Sequence, residues 1–211
     1  MNQPTDSQII ETLSARVTPE RWEKIQGVVS RRSSQLSVGI EDIYDRGNAS
    51  AVMRSMEAFG IYQLHLIELS EKFKESQRVT QGADKWLELC KWKSTRACVD
   101  HLKGEGRKIY VTHLDPQARA LEEISVDKPF TIFFGNEKKG ASQELLQLAD
   151  ETVFIPMKGF VQSFNISVAA AIALYGLSQR LPKTALSASE TARLQAYYLT
   201  QSVENWEIYF K

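Results

Sequence analysis

From residue 37 to about residue 180 the chain alternates between short runs rich in β-branched and aromatic residues and longer stretches with helical spacing. The runs at 38–43, 61–66, 108–112, 130–134 and 152–155 read as strands. Helical spacing is expected from Asn48 to Phe59, over 85–91, from Ser94 to the Gly104-Glu105-Gly106 turn, over 142–148, and from Asn165 to Arg180. Asn48 serves as the cap of the first of these helices, and Gly60 closes it. Strands separated by helices cannot pair as tight hairpins. Each crossover makes the next strand parallel and lays a helix on one face of the sheet. The expected fold is therefore α/β, a mostly parallel sheet with helices on both faces.

The flanks read differently. Residues 1–17 suggest a frayed arm or short helix, and Thr18-Pro19 opens a firmer helix that runs through Arg32. Its apolar residues Trp22, Ile25 and Val29 share one stripe, and Arg21, Lys24, Arg31 and Arg32 share the next. Such a basic stripe is either a solvated face or a phosphate-contacting one. After Pro182 a last helix spans 189–201 and leads to the aromatic tail Trp206-Glu207-Ile208-Tyr209-Phe210. The domain reading is a helical extension at 1–36, a core at 37–181 and a second helical extension at 182–211.

Composition removes several classes of function. The 211 residues carry 26 Lys+Arg and 26 Asp+Glu, so a non-specific polyanion binder is disfavoured while a local basic face remains open. No apolar run reaches the roughly 18–20 residues needed to cross a bilayer. The start, MNQPTDSQII, lacks the basic and apolar regions of a secretory signal. Cys90 and Cys98 form no CxxC pair, which suits reduced thiols in the cytoplasm and supplies no metal site.

Ligands of open α/β sheets bind beyond the carboxyl ends of strands, and three polar, glycine-bearing segments fall there: 47–54 (GNASAVMR), 134–140 (FGNEKKG) and 155–165 (IPMKGFVQSFN). Gly135 and Gly140 have GxxxxG spacing, but Ala141-Ser142 follows where a phosphate-binding loop needs Lys and Ser/Thr. No GxGxxG follows a strand, which leaves a dinucleotide site without support. Ser163 lacks the GxSxG elbow, and His65, His101 and His113 have no metal-ligand spacing, so all three read as structural. What remains is a polar set at three strand ends: Asn48, Arg54, Glu137, Ser163 and Asn165. Arg54 lies ~9 Å of helix rise beyond Asn48, and helical side chains tilt toward the N-terminus, so it can reach back toward the strand end. Taken singly, these residues read as a helix cap, a surface ion pair with Asp45 or Glu57, and a solvated carboxylate. Their joint placement favours a site.

The three segments resemble the signature motifs of the SPOUT class of S-adenosylmethionine-dependent RNA methyltransferases, and within it the TrmH subfamily of tRNA (guanosine-2′-O)-methyltransferases. NASAVMR is similar to the first motif, FGNEKKG to the second and IPMKGFVQSFNISVAAAIALY to the third. Gly82-Ala83-Asp84-Lys85-Trp86 resembles a stretch of tRNA-directed members, whereas Gly47 stands where many relatives carry His. The resemblance implies a trefoil-knotted core, a homodimer, and S-adenosyl-L-methionine as cofactor. It implies tRNA position 18 as target, and because the sequence offers no metal-ligand cluster, the cofactor is expected to bind without metal. It assigns Arg54 the catalytic part, with Asn48, Glu137, Ser163 and Asn165 in support. Thr112, Gly135, Ile155 and Phe164 match cofactor-contacting positions, and the basic stripe Arg21, Lys24, Arg31 and Arg32 fits RNA contact. A ribosomal RNA methyltransferase and an inactive RNA-binding homologue are the alternatives. The second predicts loss of groups such as Arg54 and Asn165, which are present here.

Overall fold

The computed structural model describes residues 3–69 and 82–210. They divide into two compact units: Met1–Ser33 together with Thr184–Lys211, and Ser34–Lys183.

In the first unit, α1 (Asp6–Ser14) and α2 (Pro19–Val29) both pack against α7 (Ala188–Thr200), the last helix of the chain. Each start has a side-chain cap. Thr5 and Gln8 form a capping box on α1, Thr18 caps α2 ahead of Pro19, and Ser187 and Glu190 box α7. Ile9, Leu13, Ile25, Val29, Leu194 and Leu199 fill the space between the helices. The expected basic stripe does not survive intact. After Val29 the chain tightens, with Arg31 N–H and Arg32 N–H donating to carbonyls three residues back. That change of phase turns Arg32 inward. It is 3% exposed, and its Nε donates to Tyr198 Oη at 2.9 Å. Arg21 is half-buried and donates to Ser202 Oγ from Nε (3.3 Å) and Nη2 (3.2 Å). Of the four cations, only Lys24 and Arg31 face outward.

The second unit is a seven-stranded sheet. Its elements run β1 (Leu36–Glu41), α3 (Arg46–Ala58), β2 (Gln63–Ile67), β3 (Glu88–Trp92), α4 (Thr95–Gly104), β4 (Lys108–Thr112), β5 (Arg119–Ala120), β6 (Phe130–Phe134), α5 (Gln143–Leu148), β7 (Glu151–Phe154) and α6 (Ile166–Ser178). The strand order is β3-β2-β1-β6-β4-β7-β5, and every pairing is parallel, as the alternating sequence requires. Side chains obey a period of two. Val38, Ile40, Leu64, Leu66, Phe130, Ile132 and Tyr110 point to the face covered by α3 and α6. Ile67, Ile109, Val111 and Phe133 point to the face covered by α4 and α5. Burial on both faces explains why these strands read as continuous apolar runs.

One expectation fails locally, and one short strand was not expected. Residues 85–91 are not a helix: a 3₁₀ turn at Ala83–Trp86 precedes edge strand β3, whose backbone is captured by β2 in register His65↔Cys90. β5 has only two residues and carries no periodicity to read. Among the described residues no helix is long and apolar enough to cross a membrane.

Candidate active site

The chain first builds the sheet outward through β1, β2 and β3, then returns so that β6 and β4 lie on the other side of β1. Strand order reverses there, and the carboxyl ends of β4, β6 and β7 open a cleft of about 520 Å³. This is within the ~300–1,000 Å³ of small-molecule sites. Its walls include Thr112, Gly135, Glu137, Ile155, Ser163, Phe164 and Asn165, seven of the nine cofactor and site positions expected from sequence. Asn48 joins from outside the wall, and Arg54 does not line the cleft.

The second motif is a closed loop. Asn136 and Gly140 exchange backbone hydrogen bonds of 3.0 and 2.8 Å, and Asn136 Oδ1 accepts the N–H groups of Lys138 and Lys139. Gly135 is required by this closure. A Cβ there would fall 2.2 Å from the backbone nitrogen of Ala141 and 2.4 Å from the carbonyl carbon of Gly140. Gly140 turns the loop with a φ of 70°, a left-handed conformation that glycine adopts without strain. Asn136 Nδ2 then donates to the Asp42 carbonyl at 2.6 Å, tying this loop to the one after β1.

Glu137 makes the same connection through its carboxylate. Oε2 accepts Tyr44 N–H at 2.9 Å, and Oε1 accepts Asp45 N–H at 3.1 Å and Asn48 Nδ2 at 3.0 Å. Partial burial pushes the acid's pKa upward, but the hydrogen bonds from Asn48, Tyr44 and Asp45 outweigh it and hold the carboxyl below its ordinary range. Glu137 is thus an ionised acceptor that orients Asn48. Asn48 is available for this because it is not the helix cap. Asp45 takes that place, accepting Gly47 N–H at 2.7 Å, so α3 begins three residues earlier than expected. A Cβ at Gly47 would stand 3.0 Å from the capping oxygen, which fits glycine at this position.

Asn165 does cap α6, its Oδ1 accepting Ser167 N–H (2.8 Å) and Ser167 Oγ–H (2.6 Å). Thr112 Oγ1 donates to the Phe133 carbonyl at 3.0 Å, which leaves the hydroxyl its acceptor lone pairs. Ser163 is exposed on the cleft wall. Arg54 is exposed on α3 and, among the described residues, pairs with neither Asp45 nor Glu57.

Glu41 is a support that the sequence did not single out. It is 2% exposed at the end of β1 and accepts Thr95 Oγ1 at 2.6 Å, Ser142 Oγ at 2.8 Å and Ser142 N–H at 2.8 Å. A carboxylate inside an otherwise apolar strand was its one signal. His65 is buried and accepts Trp92 Nε1–H on Nδ1 at 3.3 Å. Burial above all, with the charges of Arg107 and His101, holds its pKa at about 4. No group of three or more His, Cys, Asp or Glu suited to a metal occurs among the described residues.

The SpoU rRNA methylase family matches residues 35–175, the sheet and all three loops. The tRNA (guanosine(18)-2′-O)-methyltransferase of Borreliella burgdorferi is 39% identical over 202 residues, covering 94% of this chain and 93% of its own length. The Escherichia coli enzyme of the same name is 33% identical over 178 residues, covering 84% and 78%. The crystal structure of the A. aeolicus TrmH/SpoU tRNA modifying enzyme superposes with a TM-score of 0.79 at 28% identity, covering 87% of this chain and 97% of that one.

Proposed function

The chain belongs to the SpoU rRNA methylase family, and we propose that it methylates the ribose 2′-hydroxyl of guanosine 18 in the D-loop of tRNA. The observation that carries this reading is the meeting of the three motif segments. Glu137 of the second holds Asn48 of the first at 3.0 Å and lines the same cleft as Ser163 and Asn165 of the third. The curated relatives named for that reaction supply the choice of tRNA.

S-adenosyl-L-methionine would supply an electrophilic sulfonium methyl. The cleft suits it on two counts. Leu114, Phe134, Ile155 and Met157 offer apolar walls for an adenine. Among the described residues, the backbone N–H groups of Met157, Ser163 and Phe164, which line the cleft, have no backbone partner, leaving donors for a base edge and a carboxylate. Thr112, Gly135, Ile155 and Phe164 would hold the cofactor.

The remaining task is to bring the 2′-oxygen in line with the methyl and remove its proton. Glu137 is a poor base, since three donors already occupy it and its pKa is depressed. A guanidinium is a poor general base, so Arg54 serves as an orienting cation. It clamps the phosphate beside the target ribose and orients the hydroxyl, so that a phosphate oxygen or solvent takes the proton. Among the described residues it has no ion pair, which leaves the guanidinium ready for that phosphate. Asn48 and Asn165 fix the ribose, and Lys24 and Arg31 add phosphate contacts on the first unit.

The same reading includes a homodimer, a trefoil knot in the core and a cytoplasmic location. Support for the dimer is the apolar stripe Val168, Ile172 and Tyr175, which is 40–57% exposed on α6. Ile166 and Leu174 of the same helix are buried in the chain's own core.

Labelled cofactor, offered with unmodified bulk tRNA and with ribosomal RNA after EDTA treatment, tests the assignment. Label is expected in tRNA alone. Label confined to ribosomal RNA would instead favour that substrate, and label in neither would leave a binding protein.

A further inference from the structure

Tyr44 lies at the mouth of the cleft, and its role is not accounted for by packing. The residue is 58% exposed, although its backbone is fixed by the N–H bond to Glu137. Lys138 Nζ sits 3.7 Å from the ring centroid and covers one face. The two residues come from the loops that Glu137 and Asn136 tie together, so the ring is anchored to the same scaffold as the site. Arg46 and Lys139 flank these loops in the chain, both exposed and neither paired with a carboxylate among the described residues. Arg46 even occupies the first turn of α3, where the helix dipole disfavours a cation.

An exposed aromatic face beside unpaired cations is what single-stranded nucleic acid uses. An unpaired base stacks on the ring, and the cations meet the phosphates on either side. We infer that Tyr44, backed by Lys138, is a stacking platform for an unpaired base neighbouring the methylated nucleotide. This rests on the RNA reading above and deepens it. It makes the platform a filter for looped RNA, because bases within a duplex cannot reach the ring.

The test is equilibrium binding of an unmodified tRNA transcript and of a blunt RNA duplex, with cofactor affinity followed by calorimetry. Tyr44→Ala is expected to weaken tRNA binding, and to raise KM for tRNA, by about tenfold. It should leave cofactor affinity and duplex binding unchanged. Tyr44→Phe should restore tRNA binding. Lys138→Ala should weaken it and lower the dependence on log salt by about one. Unchanged tRNA binding by Tyr44→Ala, or equal losses in Tyr44→Ala and Tyr44→Phe, would overturn the platform while the methyltransferase reading stands. Loss of cofactor affinity in Tyr44→Ala would make the residue structural and also overturn it. A wild-type chain that binds no tRNA would overturn the platform together with the reading beneath it.

Discussion

Arg54 carries the heaviest functional assignment in the proposed reading, and its side chain has no hydrogen bond or ion pair among the described residues. That combination suits a group whose partner is the substrate. Arg54→Lys keeps the charge but loses the planar fork that can engage a phosphate and a hydroxyl together. Single-turnover methylation is expected to fall about a hundredfold, equivalent to about 2.7 kcal/mol in the barrier, with cofactor affinity within a fewfold of wild type. Near-normal rates in Arg54→Lys would show that a point charge suffices. His65 illustrates the opposite case, a titratable group serving stability. Its folded pKa of about 4 lies below the unfolded value near 6.5, so the unfolded chain binds more protons between them. The stability it contributes is present above pH 6.5 and is lost as pH falls toward 4, by up to about 3 kcal/mol. Thermal melts from pH 7 to pH 5 should show a fall that is smaller in His65→Asn, which keeps an acceptor near Nδ1 and cannot titrate.

At the scale of elements, α6 has two roles. Ala170, Ala173, Leu174 and Leu177 seal the core, while Val168, Ile172 and Tyr175 leave an apolar stripe facing outward. Ile172→Asp places a charge in that stripe without touching the core. Light scattering should report a dimer for wild type and a monomer for the variant at micromolar concentration; a wild-type monomer would remove the dimer from the reading. Strands 108–112 and 130–134 were legible in sequence because burial on both faces leaves a plain apolar run. β3 was not, because its pairing with β2 overrides the helical spacing of 85–91. Asn48 shows the same limit in the site. Its sequence context suggests a cap, and only the fold reveals that Asp45 caps α3 and that Asn48 bonds Glu137, 89 positions away. Likewise, nothing in the spacing of Arg31 and Arg32 distinguishes the exposed cation from the one committed to Tyr198. The three strand-end loops were visible as polar, glycine-bearing segments; their convergence depends on sheet order, which local patterns do not carry.

For the whole molecule, the α/β unit contains the cleft, and the proposed reading gives Lys24 and Arg31 of the helical unit the phosphate contacts. Neutralising Lys24 and Arg31 together is expected to weaken tRNA binding and lower its dependence on log salt by about two, with cofactor affinity unchanged. An unaltered slope would return both residues to a solvated face. In the proposed reading the methyl goes to one ribose oxygen, the 2′-oxygen of guanosine 18. The most direct measurement compares two tRNA transcripts that differ only at guanosine 18, one with its 2′-hydroxyl and one with 2′-deoxyribose there. The hydroxyl transcript should accept one labelled methyl per molecule and the deoxy transcript none, while both bind with similar affinity. Equal labelling of the two would contradict 2′-O-methylation at that position.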